Sequence, residues 1–281
     1  MDRDDNFHFG ILEEIAQDLS GETNFPTCLD AALVVRNTLR DPDVGLDKVS
    51  QVVGIEPLIA SKLLRLANSV PYNPSGRPIS DLKTAIGRLG FDAVRTTSLA
   101  VAMDQMLKSR QLAAFEELSK LAWEHSLQVA AISRVLARRI GNVNADEALL
   151  AGMVHDIGIF YLLYRAADRN EYRDNKDAVL DLVVGWHESI GESLLHALGL
   201  PDRIVEAVRD HDQPRTTADA PCTLRDVLYF ANLLAGGSFE CLSGADAAPE
   251  PESRIQDRER YADLLEEAEE DIRELRVALG G

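Results

Sequence analysis

ADEALLAGMVHDIGIFYLLYRAA, residues 145–167, decides how this chain is read. Apart from Asp146, Glu147, the His155-Asp156 pair and Arg165, the stretch is apolar or small. It shows no alternation of period two and is far longer than a strand, so it predicts a helix. Asn144, with Glu147 three residues on, is a capping-box-like start for it. The helix is apolar on every face, which marks it as buried, and a histidine and an aspartate sit side by side in its middle. A buried carboxylate needs a partner. The sequence therefore places a polar centre inside the core.

Helical periodicity continues outward from this stretch in both directions. In 115–140, Leu118, Leu121, Ala122, His125, Val129, Ile132 and Leu136 fall at helical spacing, so His125 also points into the core. DLVVGWHESIGESLLHALGLP, residues 181–201, puts His187 on one stripe with Val183, Ile190 and Leu194 and stops at Gly199 before Pro201. DRIVEAVRDHD, 202–212, ends on His211-Asp212 just before Pro214.

Toward the N-terminus, Phe9 to Leu19 reads as a short amphipathic helix ended by Ser20-Gly21. A second opens at Pro26, carries Cys28, Ala32, Val35 and Leu39 on one face, and ends near Asp41-Pro42. Residues 45–69 form two short helices broken at Gly54, and VPYNPSGRP, 70–78, is a loop. A helical pattern resumes from a cap at Asp81 or Ser80 and breaks at Leu89-Gly90, and residues 108–112 join two helical halves. The expected fold class is all-α.

Composition narrows the function. The 281 residues suit one large domain or two small ones, and 46% hydrophobic content argues against global disorder. A formal net charge of −18 disfavours nucleic acid, whose affinity comes largely from neutralised phosphates, and an anionic membrane for the same reason. Arg138-Arg139 is the densest basic pair of the central region. A DNA-binding helix-turn-helix around Gly54 would offer only Lys62 and Arg65 on its second helix, Leu58 to Asn68. The opening MDRDDNFHFG is no secretory signal, and no stretch approaches the roughly 20 apolar residues of a membrane span. Cys28, Cys222 and Cys241 form no C-x-x-C pair, so they read as buried small residues in a reducing, cytoplasmic compartment.

His125, His187 and His211 thus accompany the His155-Asp156 pair, all on helices. Imidazole and carboxylate ligands suit iron, manganese or zinc, and such ions can activate a water for attack on a phosphoester. The competing account is a hydrogen-bonded set of core residues. His196 lies off the stripe and belongs to neither.

AGMVHDIG, WEHS, HESIGESLLHALGLPDRIVEAV and the closing DHD resemble the HD superfamily of metal-dependent phosphohydrolases. DPDVGLDKVSQVVGIEPLIASKLLRLANS followed by PISDLKTAIGRLG is similar to the HDOD family, the HD-related output domain of bacterial signalling proteins. The likeness spans about residues 22 to 240. It implies an N-terminal helical bundle packed on an HD-like lobe: an N-terminal helix in 1–21, the first lobe in 22–112, the HD-like lobe in 113–243, and a linker with an acidic helix in 244–281. It also implies a signalling or regulatory role through protein partners or a small phosphorylated ligand, with a degenerate HD site; the alternative is a metal-dependent phosphohydrolase.

By the same resemblance His125, His155, Asp156, His187 and His211 match ligand positions, and Asp156 would be the residue with a catalytic part. The helix LRDVLYFANLLA should carry a closing aspartate, where this chain has Asn232. Ile159 stands where related cyclic-dinucleotide phosphodiesterases have a lysine, the Gly-Tyr-Pro segment is missing, and Asp210-His211 replaces a histidine pair. These departures leave a metal cradle and count against phosphodiester hydrolysis.

Beyond Gly244 to Pro251 the composition shifts to charged helix formers. Tyr261, Leu265, Ala268, Ile272, Leu275 and Leu279 form a heptad-like seam, with Glu266, Glu267, Glu269, Glu270 and Asp271 crowding the other faces. This helix either folds back on its own domain or pairs with a second copy to make a homodimer.

Overall fold

The computed structural model describes residues 3–20, 27–70, 72–140, 142–213, 221–237 and 261–279. The regular structure among them is helical throughout. Helix α1 (Arg3–Ser20) begins earlier than the sequence suggests. A 3-10 turn (Thr27–Leu29) leads into α2 (Asp30–Leu39), followed by α3 (Leu46–Gly54), α4 (Pro57–Ala67), α5 (Leu82–Leu89) and α6 (Phe91–Leu107). A second 3-10 segment (Gln111–Phe115) opens the other half. There follow α7 (Glu116–Ile140), α8 (Ala145–Val154), α9 (Ile157–Ala166), α10 (Asn170–Arg173), α11 (Lys176–Ala197), α12 (Asp202–Val208), α13 (Leu224–Leu234) and α14 (Ala262–Leu279).

Local chemistry sets many of these ends. Pro57 occupies the first turn of α4, where its missing N–H costs nothing. Asp81 caps α5 by accepting the Thr84 N–H at 2.8 Å. Asn144 accepts the N–H groups of Asp146 and Glu147 at the start of α8. Thr223 and Asp226 form a reciprocal capping box on α13. Gly199 takes φ +67° just past α11, a conformation that L side chains rarely adopt, and the Leu200 N–H closes back on the Leu195 carbonyl at 3.1 Å.

Two apolar cores result. Val35, Val49, Val53, Ile59, Leu63 and Ile86 build the smaller one among α2–α5. The larger surrounds α7, which carries Val129, Ile132 and Leu136 into it and packs on α8, α9, α13 and α14, while α11 joins it through α9 and α12. Helix α6 is shared: Val94 and Val101 face the first core, Leu99 and Met103 the second. It is buried along most of its length, which accounts for its lack of a polar face.

The structure corrects or sharpens several sequence expectations. The helix read over 145–167 is two helices, α8 and α9, meeting at His155-Asp156. Asp156 adopts φ −99°, ψ 17°, and the Ile159 N–H turns back to its carbonyl at 2.9 Å. The break lets α8 lie on α7 while α9 runs along α11, and it turns the polar pair toward both. The apolar window within Ala145–Ala166 is long enough by composition for a bilayer, yet 89% of it is buried inside the protein. Cys28 is only half-buried and Cys222 is exposed beside the Asp226 carboxylate, while Cys241 lies outside the described residues. Lys62 is buried 3.6 Å from Asp104, so of the two cations on the helix-turn-helix candidate only Arg65 faces outward.

Helix α14 docks on α7. The seam is rotated from its sequence reading: Leu264, Ala268, Asp271 and Leu275 are buried, with Leu265 and Ile272 at the margin. An aspartate sits in the seam because Arg134, 1% exposed on α7, donates to it from Nε at 2.7 Å. The proposed linker, 244–251, lies outside the described residues.

Candidate metal centre

Five sequence-selected residues meet at one point in the larger core. His125 comes from the middle of α7, His155 and Asp156 from the α8–α9 break, His187 from α11, and His211 from the turn after α12. All five are buried, none more than 2% exposed. His125 Nε2 lies 3.9 Å and His155 Nε2 3.2 Å from Asp156 Oδ2. On the other carboxylate oxygen, His211 Nε2 is 3.2 Å and His187 Nε2 3.9 Å from Oδ1.

The close approach of α9 to α11 makes this possible. A Cβ on Gly158 would sit 2.1 Å from the His187 carbonyl oxygen, so only glycine lets the backbones come this near. Two residues from the carboxylate, Gly158 sets the distance at which His187 meets it.

Three imidazoles are oriented from behind. His155 Nδ1 bonds the Gly152 carbonyl at 2.8 Å, His187 Nδ1 the Val183 carbonyl at 2.9 Å, and His211 Nδ1 the Val208 carbonyl at 2.8 Å. A carbonyl only accepts, so each Nδ1 carries a proton and each Nε2 faces a carboxylate, with a lone pair turned to it whenever the ring is neutral. Lone pair against anion is stable only with a cation between them, a proton or a metal. Backbone carbonyls behind Nδ1 are also how metal-ligating histidines are held. The donor set of imidazole and carboxylate fits a divalent ion such as zinc, iron or manganese, which would supply charge neutralisation and, where a substrate reached it, an activated water.

With protons alone, electrostatics divides the cluster. Burial pushes the Asp156 carboxyl up, but His155 and His211 outweigh it and hold it well below the usual carboxylate range. Burial lowers His211, yet its bond to Asp156 and the neighbouring Asp212 raise it to about 9. Burial takes His125 down to about 4 against the attraction of Asp156.

Asn232, 2% exposed on α13, adjoins the cluster. Its Nδ2 donates to Asp212 Oδ1 at 2.6 Å and its Oδ1 accepts from His125 Nε2 at 2.9 Å. Asp212 is the residue that sequence reasoning missed. Its Oδ2 lies 3.3 Å from His187 Nε2 and 3.7 Å from His211 Nε2. The available signal was the tripeptide DHD, but these residues lie in a turn, where helical periodicity cannot say which aspartate faces inward. Asp210 turns outward to Arg225, and Asp212 turns in. Ile159 is completely buried in the core. His196 is half-exposed near Glu192, away from the cluster.

The HDOD domain model matches residues 25–214. This chain belongs to the HDOD domain family. A Shewanella amazonensis protein named as a candidate metal-dependent phosphohydrolase superposes with TM-score 0.75 at 20% identity, covering 99% of this chain and 100% of that one. An HDOD domain protein of unknown function from Geobacter sulfurreducens superposes with TM-score 0.55 at 20% identity, covering 93% and 98%. At such identity these likenesses speak for the shared helical fold. An uncharacterised Treponema pallidum protein is 22% identical over 224 residues, 75% of this chain and 42% of its own length. Ribonuclease Y of Thermus thermophilus is 30% identical over 146 residues, 52% of this chain and 20% of its own length. The chain thus spans less than half the length of these curated relatives.

Proposed function

We propose that this HDOD chain is a signalling or regulatory module that works through protein contacts or a small phosphorylated ligand, and that its buried His-Asp cluster no longer hydrolyses phosphoesters. One observation carries the reading. Asn232 stands where the resemblance calls for a closing carboxylate, and its amide spends both polar ends on His125 and Asp212. A neutral amide brings no charge to a metal, and the Nε2 it engages is lost to coordination. Burial of every cluster residue and the apolar Ile159 support the same reading, since a phosphoester needs access and a cationic contact. A cytoplasmic location belongs to it.

A metal-dependent phosphohydrolase is the second reading, favoured by the donor set and by the likeness to ribonuclease Y over half the chain. Assays of the full chain with manganese, iron or zinc against a phosphomonoester and a phosphodiester separate the two. The regulatory reading expects no turnover above that of Asp156→Ala; metal-dependent turnover abolished by that substitution would establish the hydrolase.

A further inference from the structure

Asp156 has a histidine pair on each carboxylate oxygen, and the two sides are not equivalent. On the Oδ2 side the hydrogen-bond chemistry is fixed by elimination. The Asp212 carboxylate can only accept, so the Asn232 atom 2.6 Å from its Oδ1 must be the NH2 group. That leaves the Asn232 oxygen facing His125 Nε2 at 2.9 Å, and an amide oxygen also only accepts. The His125 proton therefore sits on Nε2, the nitrogen turned toward Asp156. Among the described residues, the buried His125 Nδ1 has no hydrogen-bond partner, in contrast to the Nδ1 atoms of the other three rings. A nitrogen that carries a hydrogen has no lone pair for a metal.

On the Oδ1 side four donor atoms close a ring. Asp156 Oδ1 is 3.2 Å from His211 Nε2, which is 3.7 Å from Asp212 Oδ2. Asp212 Oδ2 is 3.3 Å from His187 Nε2, which returns to Asp156 Oδ1 at 3.9 Å. The donor atoms of Asp156, His187 and His211 all lie within 4.8 Å of one another, and Asp212 Oδ2 approaches the two histidines from the opposite side of the ring. The ring alternates imidazole and carboxylate, its histidines are anchored at Nδ1, and its two carboxylates would offset the charge of a divalent ion.

We infer that the chain binds one divalent ion through Asp156 Oδ1, His187 Nε2, His211 Nε2 and Asp212 Oδ2, with Asp212 as a ligand and His125 excluded by the Asn232 amide. Asn232 thus acts as a positioning residue: it holds Asp212 by one end and His125 by the other. The inference concerns the same cluster as the regulatory reading, but it is tested by counting and locating ions and stands or falls apart from turnover.

The test uses the full-length protein, loaded with zinc or manganese, dialysed, and assayed for ions per chain by elemental analysis. The expected result is one ion per chain in the unmodified protein and in His125→Gln, with Asp212→Asn binding at least about tenfold more weakly in a chelator competition. Two ions per chain, no ion, or loss of the ion in His125→Gln with retention in Asp212→Asn would overturn it. Circular dichroism checks that each variant is folded. Should Asp212→Asn not fold, the anomalous map of a zinc-soaked crystal of the unmodified chain decides. A peak bonded to His187, His211 and Asp212 supports the assignment, and a peak bonded to His125 refutes it.

Discussion

At the residue scale, stability around the cluster turns on a few atoms. Asp156 gathers imidazole nitrogens on both oxygens at zero exposure, so Asp156→Ala leaves buried donors without an acceptor. In metal-free protein that should cost about 1–3 kcal/mol, read as a lower urea midpoint at unchanged slope. Glycines provide a paired test. Gly158→Ala drives a methyl into the His187 carbonyl, a backbone atom that cannot rotate away, and should destabilise by about 1–3 kcal/mol or more. Gly185→Ala, on the exposed face of α11 with nothing within 4 Å of the new methyl, should instead stabilise by about 0.5–1 kcal/mol. Equal effects of the two would show that α9 and α11 do not cross as closely as described.

At the element scale, α14 shows how one buried ion pair can seat a helix. Arg134 lies within α7 at 1% exposure and meets Asp271 at 2.7 Å, with Arg138 adding 3.5 Å from the rim. Arg139–Glu267 and Arg276–Glu124 flank the contact at the surface, where such pairs contribute little. Asp271→Ala leaves a buried guanidinium unpaired and should cost about 3–5 kcal/mol, far more than Glu267→Ala. Thermal melts of the two variants side by side check this. Deleting residues 250–281 should lower the melting temperature and leave the number of chains per particle, read by light scattering, unchanged. Loss of a dimer, with a remainder that still melts cooperatively, would show that α14 pairs between copies instead.

At the scale of the whole molecule, the cluster ties together α7, the α8–α9 break, α11 and the turn after α12, so an ion bound there is linked to folding. A ligand that binds only the folded chain adds about 2.7 kcal/mol at a hundred times its dissociation constant. Zinc or manganese should therefore raise the melting temperature, and EDTA should reverse the rise. In Asp156→Ala the metal should have no such effect. A melting curve indifferent to both metal and chelator would leave the cluster as a hydrogen-bonded core.

The sequence by itself determined the helices, because helical periodicity, caps such as Asp81 and Asn144, and stops such as Gly199 are local chemistry. It also marked His125 and His187 as inward-facing, since each stands on the apolar stripe of its helix, and His155 and Asp156 as buried, since the stretch around them is apolar throughout. Only the tertiary structure decided the rest. The α8–α9 break is invisible to periodicity because both halves are apolar on all faces, and burial on two different neighbours is what bends the chain there. Asp212 lies in a turn without period, and only the packing of α12 against both α11 and α13 turns it inward to His187 and Asn232. The place of Asp271 in the α14 seam was likewise unreadable, because a charged residue belongs in such a seam only where a distant partner waits. That partner is Arg134, 137 positions away along the chain.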